Sequence, residues 1–177
     1  MKRILTILIL TLLVSSAFAY ASPQGDDAIN SIRQHYAQIN RSAGLYKKVK
    51  KALSGFSAEG GELVAYFHGP SVMKMVATYF GESGKATEEF YFWNGRLIFV
   101  LRVDSRYDKP LSGKVVKKTE DRFYFSDDKL IRWVDENGKE VASEKTEYAE
   151  KQKEYLESSK QLSDGARGKS STIESSQ

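Results

Sequence analysis

The chain has 177 residues, with 27 Lys and Arg against 23 Asp and Glu, a formal net charge of +4 and no cysteine. The absence of thiols excludes disulfides, zinc–thiolate sites and a cysteine nucleophile. The near balance of charges does not favour a nucleic-acid partner, and the length suits one domain.

The first residues have the three parts of a secretory signal peptide. Lys2 and Arg3 precede an apolar run over residues 4–14, and two A-x-A motifs end at Ala19 and Ala21. We expect cleavage after Ala19, or after Ala21, to release a periplasmic or secreted product. The apolar run is much shorter than the roughly 20 residues that span a bilayer, so no stable membrane anchor is expected after cleavage.

Residues 26–53 predict a helix, in two pieces or with one kink. Apolar residues recur at spacings of three or four, as one face of a helix requires: Ile29, Ile32, Tyr36 and Ile39, and then Leu45, Val49 and Leu53. Four lysines lie among the last three of these residues. We interpret these lysines as a solvated face of the helix rather than as a site that binds anionic partners.

Between residues 62 and 134 the apolar period changes to two, and turn residues recur at short intervals. Residues 139–162 predict a charged C-terminal helix, and the Ser-, Gly- and Lys-rich segment 163–177 is expected to be disordered. The fold class is therefore α+β, in one domain over residues 20–162. We expect an N-terminal helix, an antiparallel meander of about six strands with a duplicated hairpin, and the C-terminal helix.

The duplicated hairpin is carried by FYFWNGRLI at residues 90–98 and FYFSDDKLI at residues 123–131. Each copy is an aromatic strand, a two-residue turn, a basic residue and an aliphatic strand. Asn94-Gly95 is typical of a type I′ turn, whereas Asp127-Asp128 leaves the turn type of the second copy open.

A two-residue turn also predicts the register of the first hairpin. It places Phe92 opposite Leu97, Tyr91 opposite Ile98 and Phe90 opposite Phe99. Phe90, Phe92, Leu97 and Phe99 would then share one face.

The segments FYFWNGRLIFV and RFYFSDDKLIRWVDENGK, preceded by INRSAGLYKK and EGGELVAYF, resemble an uncharacterised group of small bacterial exported proteins. In that group paired hairpins of the form YYF-x-NGKLI follow an N-terminal helix. The resemblance covers residues 29–141. It implies the same architecture and export, and it implies no activity, cofactor or functional residue.

The chain carries no recognisable catalytic motif. Its two histidines, His35 and His68, are too few for a metal site, so neither a metal ion nor another cofactor is expected. Glu88 and Glu89 are adjacent on one strand and should face opposite sides of the sheet, which excludes them as an acid–base pair. We therefore expect a protein without catalytic residues that is not an enzyme.

Aromatic and arginine side chains alternate along the hairpins and are the candidate binding residues: Tyr91, Trp93, Arg96, Tyr124, Arg132 and Trp133. Such a face can stack sugars or hold an anionic polymer, although cross-strand packing explains the same pattern. We expect a non-enzymatic binding or protein-interaction module of the bacterial cell envelope. Its partner would be an envelope protein or a glycan such as peptidoglycan, and not nucleic acid, with the oligomeric state left open.

Two alternative functions stay open at this point. One is an exported hydrolase that uses His68 or His35 with a carboxylate. The other is a carrier of a small apolar ligand, which would need a cavity between a helix and the sheet.

Overall fold

The computed structural model describes residues 23–175, so the expected signal peptide lies outside the described residues. The elements, in chain order, are α1 (Pro23–Ser42), a short 3-10 turn (Ala43–Leu45), β1 (Lys47–Ser54), β2 (Gly61–His68), β3 (Ser71–Gly81), β4 (Gly84–Trp93), β5 (Arg96–Tyr107), β6 (Val115–Ser126), β7 (Lys129–Val134), α2 (Thr146–Arg167) and β8 (Thr172–Glu174). The eight strands form one sheet in the order β7-β6-β5-β4-β3-β2-β1-β8. Strands β1 to β7 are antiparallel neighbours, and β8 runs parallel to β1. The α+β class is confirmed, with eight strands rather than about six.

The predicted helix over residues 26–53 is wrong beyond Ser42, because residues 47–54 form β1. Val49 and Leu53 are four residues apart. This spacing places them on one face of a helix, and it places them equally well on one face of a strand. The inward position between them is Lys51, which is only 8% exposed. A lysine at an inward position hides the period of two that would have revealed the strand.

The predicted disorder of residues 163–177 is also wrong. Helix α2 begins seven residues later than the predicted start at 139 and continues to Arg167, and the following segment adds β8 to the sheet. Ile173 is buried against α2 at Gly165, where a Cβ would stand 2.5 Å from the Ile173 Cδ1 atom. One apolar residue on a polar segment is therefore enough to fix the chain end here.

The two helices cover opposite faces of the sheet. Helix α2 crosses one face from β7, where the Tyr148 hydroxyl donates to the Leu130 carbonyl, to β8. Helix α1 packs on the other face against β4, β5 and β6 through Ile29, Ile32 and Ile39. Neither helix within residues 23–175 is long and apolar enough to cross a membrane.

The first hairpin follows the predicted register only as far as Phe92 and Leu97. Ile98 then forms a β-bulge, so Tyr91 lies opposite Phe99 and Phe90 opposite Val100. The extra residue moves Phe99 to the α1 face, and its predicted place beside Phe90 is wrong.

The same bulge occurs in two more hairpins. It falls at Ile131 in β6–β7 and at Met73 in β2–β3, in each case two residues after the first pair of the return strand. Both Asp127 and Asp128 have positive φ, as do Asn94 and Gly95, so the second turn takes the same form as the first.

The ends of the sheet are named after their connections. The hairpin end carries the two-residue turns 69–70, 94–95 and 127–128, and the loop end carries the connections 55–60, 82–83 and 108–114.

Candidate functional site

Two of the predicted binding residues are buried beneath α1. Tyr91 is fully buried and Tyr124 is 7% exposed, and both pack on the Phe99 ring, with centroids 5.8 and 4.9 Å away. Their rings form part of the α1-side core, where a large ligand has no access.

Two more predicted residues lie at the hairpin end. Trp93 is half-buried and stacks on His35 from α1, with ring centroids 3.9 Å apart. Arg96 is exposed and forms an ion pair with Asp127 in the neighbouring turn. Trp93 therefore serves to hold α1 on the sheet.

The last two predicted residues point to opposite faces. Arg132 binds Asp26 of α1 and Glu140 at 3.2 Å each, whereas the Trp133 Nε1 donates to Asp121 at 2.9 Å on the α2 side. The six predicted residues are thus divided between both faces, and no shared exposed aromatic surface results.

Glu88 and Glu89 do face opposite sides of the sheet, and each is held by a base and a tyrosine. On the α1 side the Lys74 Nζ lies 2.8 Å from both the Glu89 carboxylate and the Tyr91 hydroxyl. It also donates to the Asn40 side chain at 3.0 Å, which ties α1 to the network. Lys74 is 9% exposed, so this network is part of the core.

On the α2 side Glu88 is 5% exposed. It accepts hydrogen bonds from Arg102 at 2.9 Å and from the Tyr79 hydroxyl at 3.2 Å. Burial raises the pKa of Glu88 above its usual range, and the Arg102 charge opposes that rise. Burial followed by the Glu88 charge also raises the pKa of Tyr79.

Arg102 joins Glu88 to a second carboxylate. Its Nε and NH2 atoms donate to the two oxygens of Asp104 at 2.8 and 2.9 Å, a bidentate pair, while NH1 reaches Glu88. These hydrogen bonds to Asp104 raise the pKa of Arg102 still further. Burial lowers it by less, so the cation stays charged.

Tyr155 of α2 completes the cluster. It is fully buried between Phe90 and Phe123, and its hydroxyl has no hydrogen-bond partner within the described residues. Burial and the nearby Glu88 charge raise its pKa, and the Arg102 guanidinium close to the hydroxyl opposes that rise.

The cluster borders an open depression, here called the loop-end trough, with a volume of about 490 Å³. One cross-strand row lines its floor: Tyr79, Ala86, Asp104 and Thr119. Ser57, Glu136, Arg106 and Lys117 line its rim. Arg106 and Lys117 lie directly opposite each other on β5 and β6, and neither forms an ion pair within residues 23–175.

The geometry offers binding groups rather than an acid–base pair. The guanidinium of Arg102 lies between Glu88 and Asp104 and bonds both, whereas a glycosidase keeps that space for the scissile bond. The described part of the chain contains no group of three or more His, Asp or Glu side chains placed to hold a metal ion. The predicted candidate residues include none of this cluster, although Glu88, Arg102 and Asp104 occupy inward positions of their strands. Polar residues at such positions are the signal that could have identified it.

The two histidines line separate surface depressions, His35 beside Trp93 and Asn94 and His68 beside Ser71 and Met73. The His35 Nε2 is 3.4 Å from the Ser31 hydroxyl, and its Nδ1 is buried without a partner among the described residues. His68 is exposed beside the Tyr46 ring. No ion pair joins either histidine to a carboxylate within residues 23–175.

Replacing Tyr155 with Phe is expected to raise the free energy of unfolding by about 1 kcal/mol, because it removes a buried hydroxyl that lacks a partner. The matched control is Tyr148→Phe, which removes a hydroxyl that donates to Leu130 and should lower stability by about 1 kcal/mol. Urea unfolding of both variants measures the two shifts. Equal losses in both would show that the Tyr155 hydroxyl has a partner.

The unfolding free energy should depend on pH through Glu88. Because burial raises its folded-state pKa, the folded protein binds this proton more tightly than the unfolded chain does. Stability therefore falls as the pH rises from the unfolded value, near 4.5, through the folded value, by about 1.4 kcal/mol per unit of pKa difference. Glu88→Gln removes this fall, so its stability relative to the parent should increase from pH 4 to pH 7. Parallel urea-unfolding profiles would contradict the assignment.

Comparison of the chain with protein-family models, with curated proteins and with solved structures finds no match. The residues described above therefore carry the functional argument by themselves.

Proposed function

We propose that this protein is an exported, non-enzymatic binding module of the bacterial cell envelope, and that the loop-end trough binds a small solute carrying a carboxylate or phosphate. The observation that carries the proposal is the pair Arg106 and Lys117. Two cations lie opposite each other on adjacent strands, and neither forms an ion pair among the described residues.

Like charges at directly opposed positions destabilise a sheet. An oxyanion between Arg106 and Lys117 would relieve that repulsion and gain charge-assisted hydrogen bonds. Glu136 also lies on the rim, and the Asp104 carboxylate on the floor is held in a bidentate pair by Arg102. The trough thus favours an anion at one side of its mouth, with polar groups beneath it.

The floor beneath the rim is rigid. Tyr79 and Asp104 are held through Glu88 and Arg102, so their polar atoms are oriented before a ligand arrives. Preorganised groups cost little to order on binding, which suits recognition of a small solute.

Other parts of the proposal rest on the sequence pattern. Export is proposed from the signal-like segment, and the envelope setting from the resemblance to exported proteins. The duplicated hairpin is proposed from the similar sequences of residues 90–98 and 123–131. The absence of enzymatic activity is proposed because Arg102 occupies the space between the two carboxylates.

The test is titration of the isotope-labelled protein with inorganic phosphate, citrate and glucuronate at low ionic strength, followed by NMR. Amide shifts should concentrate at residues 104–106 and 117–119, and the Arg106→Gln/Lys117→Gln variant should lose at least tenfold in affinity. The matched control is Lys109→Gln/Lys118→Gln, which removes the same charge at exposed positions outside the trough lining. Equal losses in both variants, or shifts spread over all lysines, would contradict a trough site.

A carrier of a small apolar ligand is the second candidate. A groove of about 300 Å³ lies between α1 and the β5–β6 pair, lined in part by Ile32, Tyr36 and Leu101. Binding of an apolar dye that Leu101→Asp abolishes and Leu111→Asp preserves would favour this function.

A further inference from the structure

A second surface at the hairpin end is independent of the trough. Leu45, at the end of the 3-10 turn between α1 and β1, is 88% exposed. It is flanked in the chain by exposed bases, here called the basic edge: Arg41, Lys47, Lys48 and Lys50. None of the four forms an ion pair within residues 23–175.

Lysines on a sheet edge have one ordinary role, which is to prevent pairing with another strand. Strand β8 pairs with β1 only at residues 52–54, and the segment before β8 covers Lys51, so residues 47–50 form an open edge where that role applies. It does not account for Leu45. A bulky apolar side chain beside an open edge would promote association rather than prevent it.

We propose that the basic edge and Leu45 dock the protein on the surface of an anionic lipid bilayer. Lys47 lies on one face of β1 and Lys48 and Lys50 on the other, so lipid phosphates would be attracted from both sides of this edge. Leu45 would enter the boundary between headgroups and acyl chains. Such docking is peripheral and reversible, because one apolar side chain and a few charges give only marginal membrane affinity.

The basic edge and the loop-end trough lie towards opposite ends of the sheet. Lys47 lies opposite Phe67, next to the turn at Gly69, so the basic edge begins at the hairpin end of the sheet. The loop-end trough is at the other end. A docked molecule would therefore keep the trough open to solvent.

The experiment is flotation of the exported protein with vesicles of phosphatidylcholine alone or mixed with phosphatidylglycerol. The protein is taken from the periplasm or culture medium after removal of its leader, because the apolar run of residues 4–14 would itself bind lipid. We expect binding to the mixed vesicles that declines with salt. The Lys47→Gln/Lys48→Gln/Lys50→Gln variant should bind about 100-fold more weakly. Leu45→Ser should bind about tenfold more weakly.

Matched controls remove equivalent groups elsewhere. Lys109→Gln/Lys118→Gln/Lys129→Gln deletes the same charge, and Leu111→Asn replaces another exposed leucine, 72% exposed at φ 57°, with a residue that tolerates positive φ. Both should bind like the parent, as should the trough variant Arg106→Gln/Lys117→Gln, which separates this inference from the proposed function.

Three results would overturn the inference. One is equal binding to both kinds of vesicle. Another is equal weakening by the test and control variants. The third is unchanged vesicle binding of the basic-edge variant with a new tendency to form dimers in size-exclusion chromatography, which would assign the lysines to edge protection alone.

Discussion

A chain that ends at Arg167 is expected to lose about 4 kcal/mol of unfolding free energy relative to the parent protein. The truncation removes Ile173, which is 6% exposed, and with it the three register pairs of β8 with β1. It also removes the Gly168 and Ser170 carbonyls that accept hydrogen bonds from the Lys51 ammonium. Lys51 is 8% exposed with this segment in place, so the truncation removes both its acceptors and its cover.

Urea unfolding followed by the fluorescence of the two tryptophans measures this loss. A chain that ends at Ser175 is the control, because it keeps the hydrogen bond from the Ser175 N–H to the Ser54 carbonyl. The full-length point variant Ile173→Ala separates the apolar contribution, expected at about 2–3 kcal/mol, from the contribution of Lys51. A truncated chain as stable as the parent would contradict the assignment of β8.

Lys74→Met is expected to lower the free energy of unfolding by about 3 kcal/mol. The change leaves Glu89 without the cation 2.8 Å from it and takes a donor from Asn40, which links α1 to the sheet. Breaking one partner of a buried pair costs more than the pair itself contributes, because the remaining charge lacks water. The Glu89 side chain keeps some solvent contact, at 25% exposed, so the loss should fall at the lower end of the usual range.

The double variant Lys74→Met/Glu89→Gln tests this reason. It removes the uncompensated charge and should recover at least half of the loss, as measured by urea unfolding. Lys118→Met is the control, since Lys118 is exposed and forms no ion pair among the described residues. If the double variant is as unstable as the single one, the loss comes from packing rather than from the charge.

The meander could be predicted from the sequence because its alternation is regular and its turns carry their own signals. The turn at residues 94–95 predicts the pair of Phe92 with Leu97 correctly, and the turn at residues 127–128 has the same form. The register changes beyond them because Ile98 and Ile131 are bulged. The local sequence does not distinguish a bulged isoleucine from a paired one, so only the structure reveals the change of register.

Strands β1 and β8 were predicted less well than the meander, for a related reason. Strand β1 carries Lys51 at an inward position, and β8 carries a single apolar residue, Ile173. Strand β8 and the Lys51 ammonium are stabilised by partners far away in the chain, to which local patterns give no access. The cluster of Glu88, Arg102 and Asp104 is similar. Its residues are visible in the alternation, but their convergence depends on the strand register.

The pairing of β8 with β1 also has a consequence for how the molecule folds and opens. Every other strand pair joins neighbours in the sequence, so each closes a short loop at low entropic cost. The pair of Ala52 with Thr172 closes a loop of about 120 residues, so its entropic cost is the largest of any strand pair described. We therefore infer that the meander assembles first and that β8 joins it last. In the native protein, the amide protons of β8 should accordingly exchange with solvent through a local opening that leaves β3 to β6 intact.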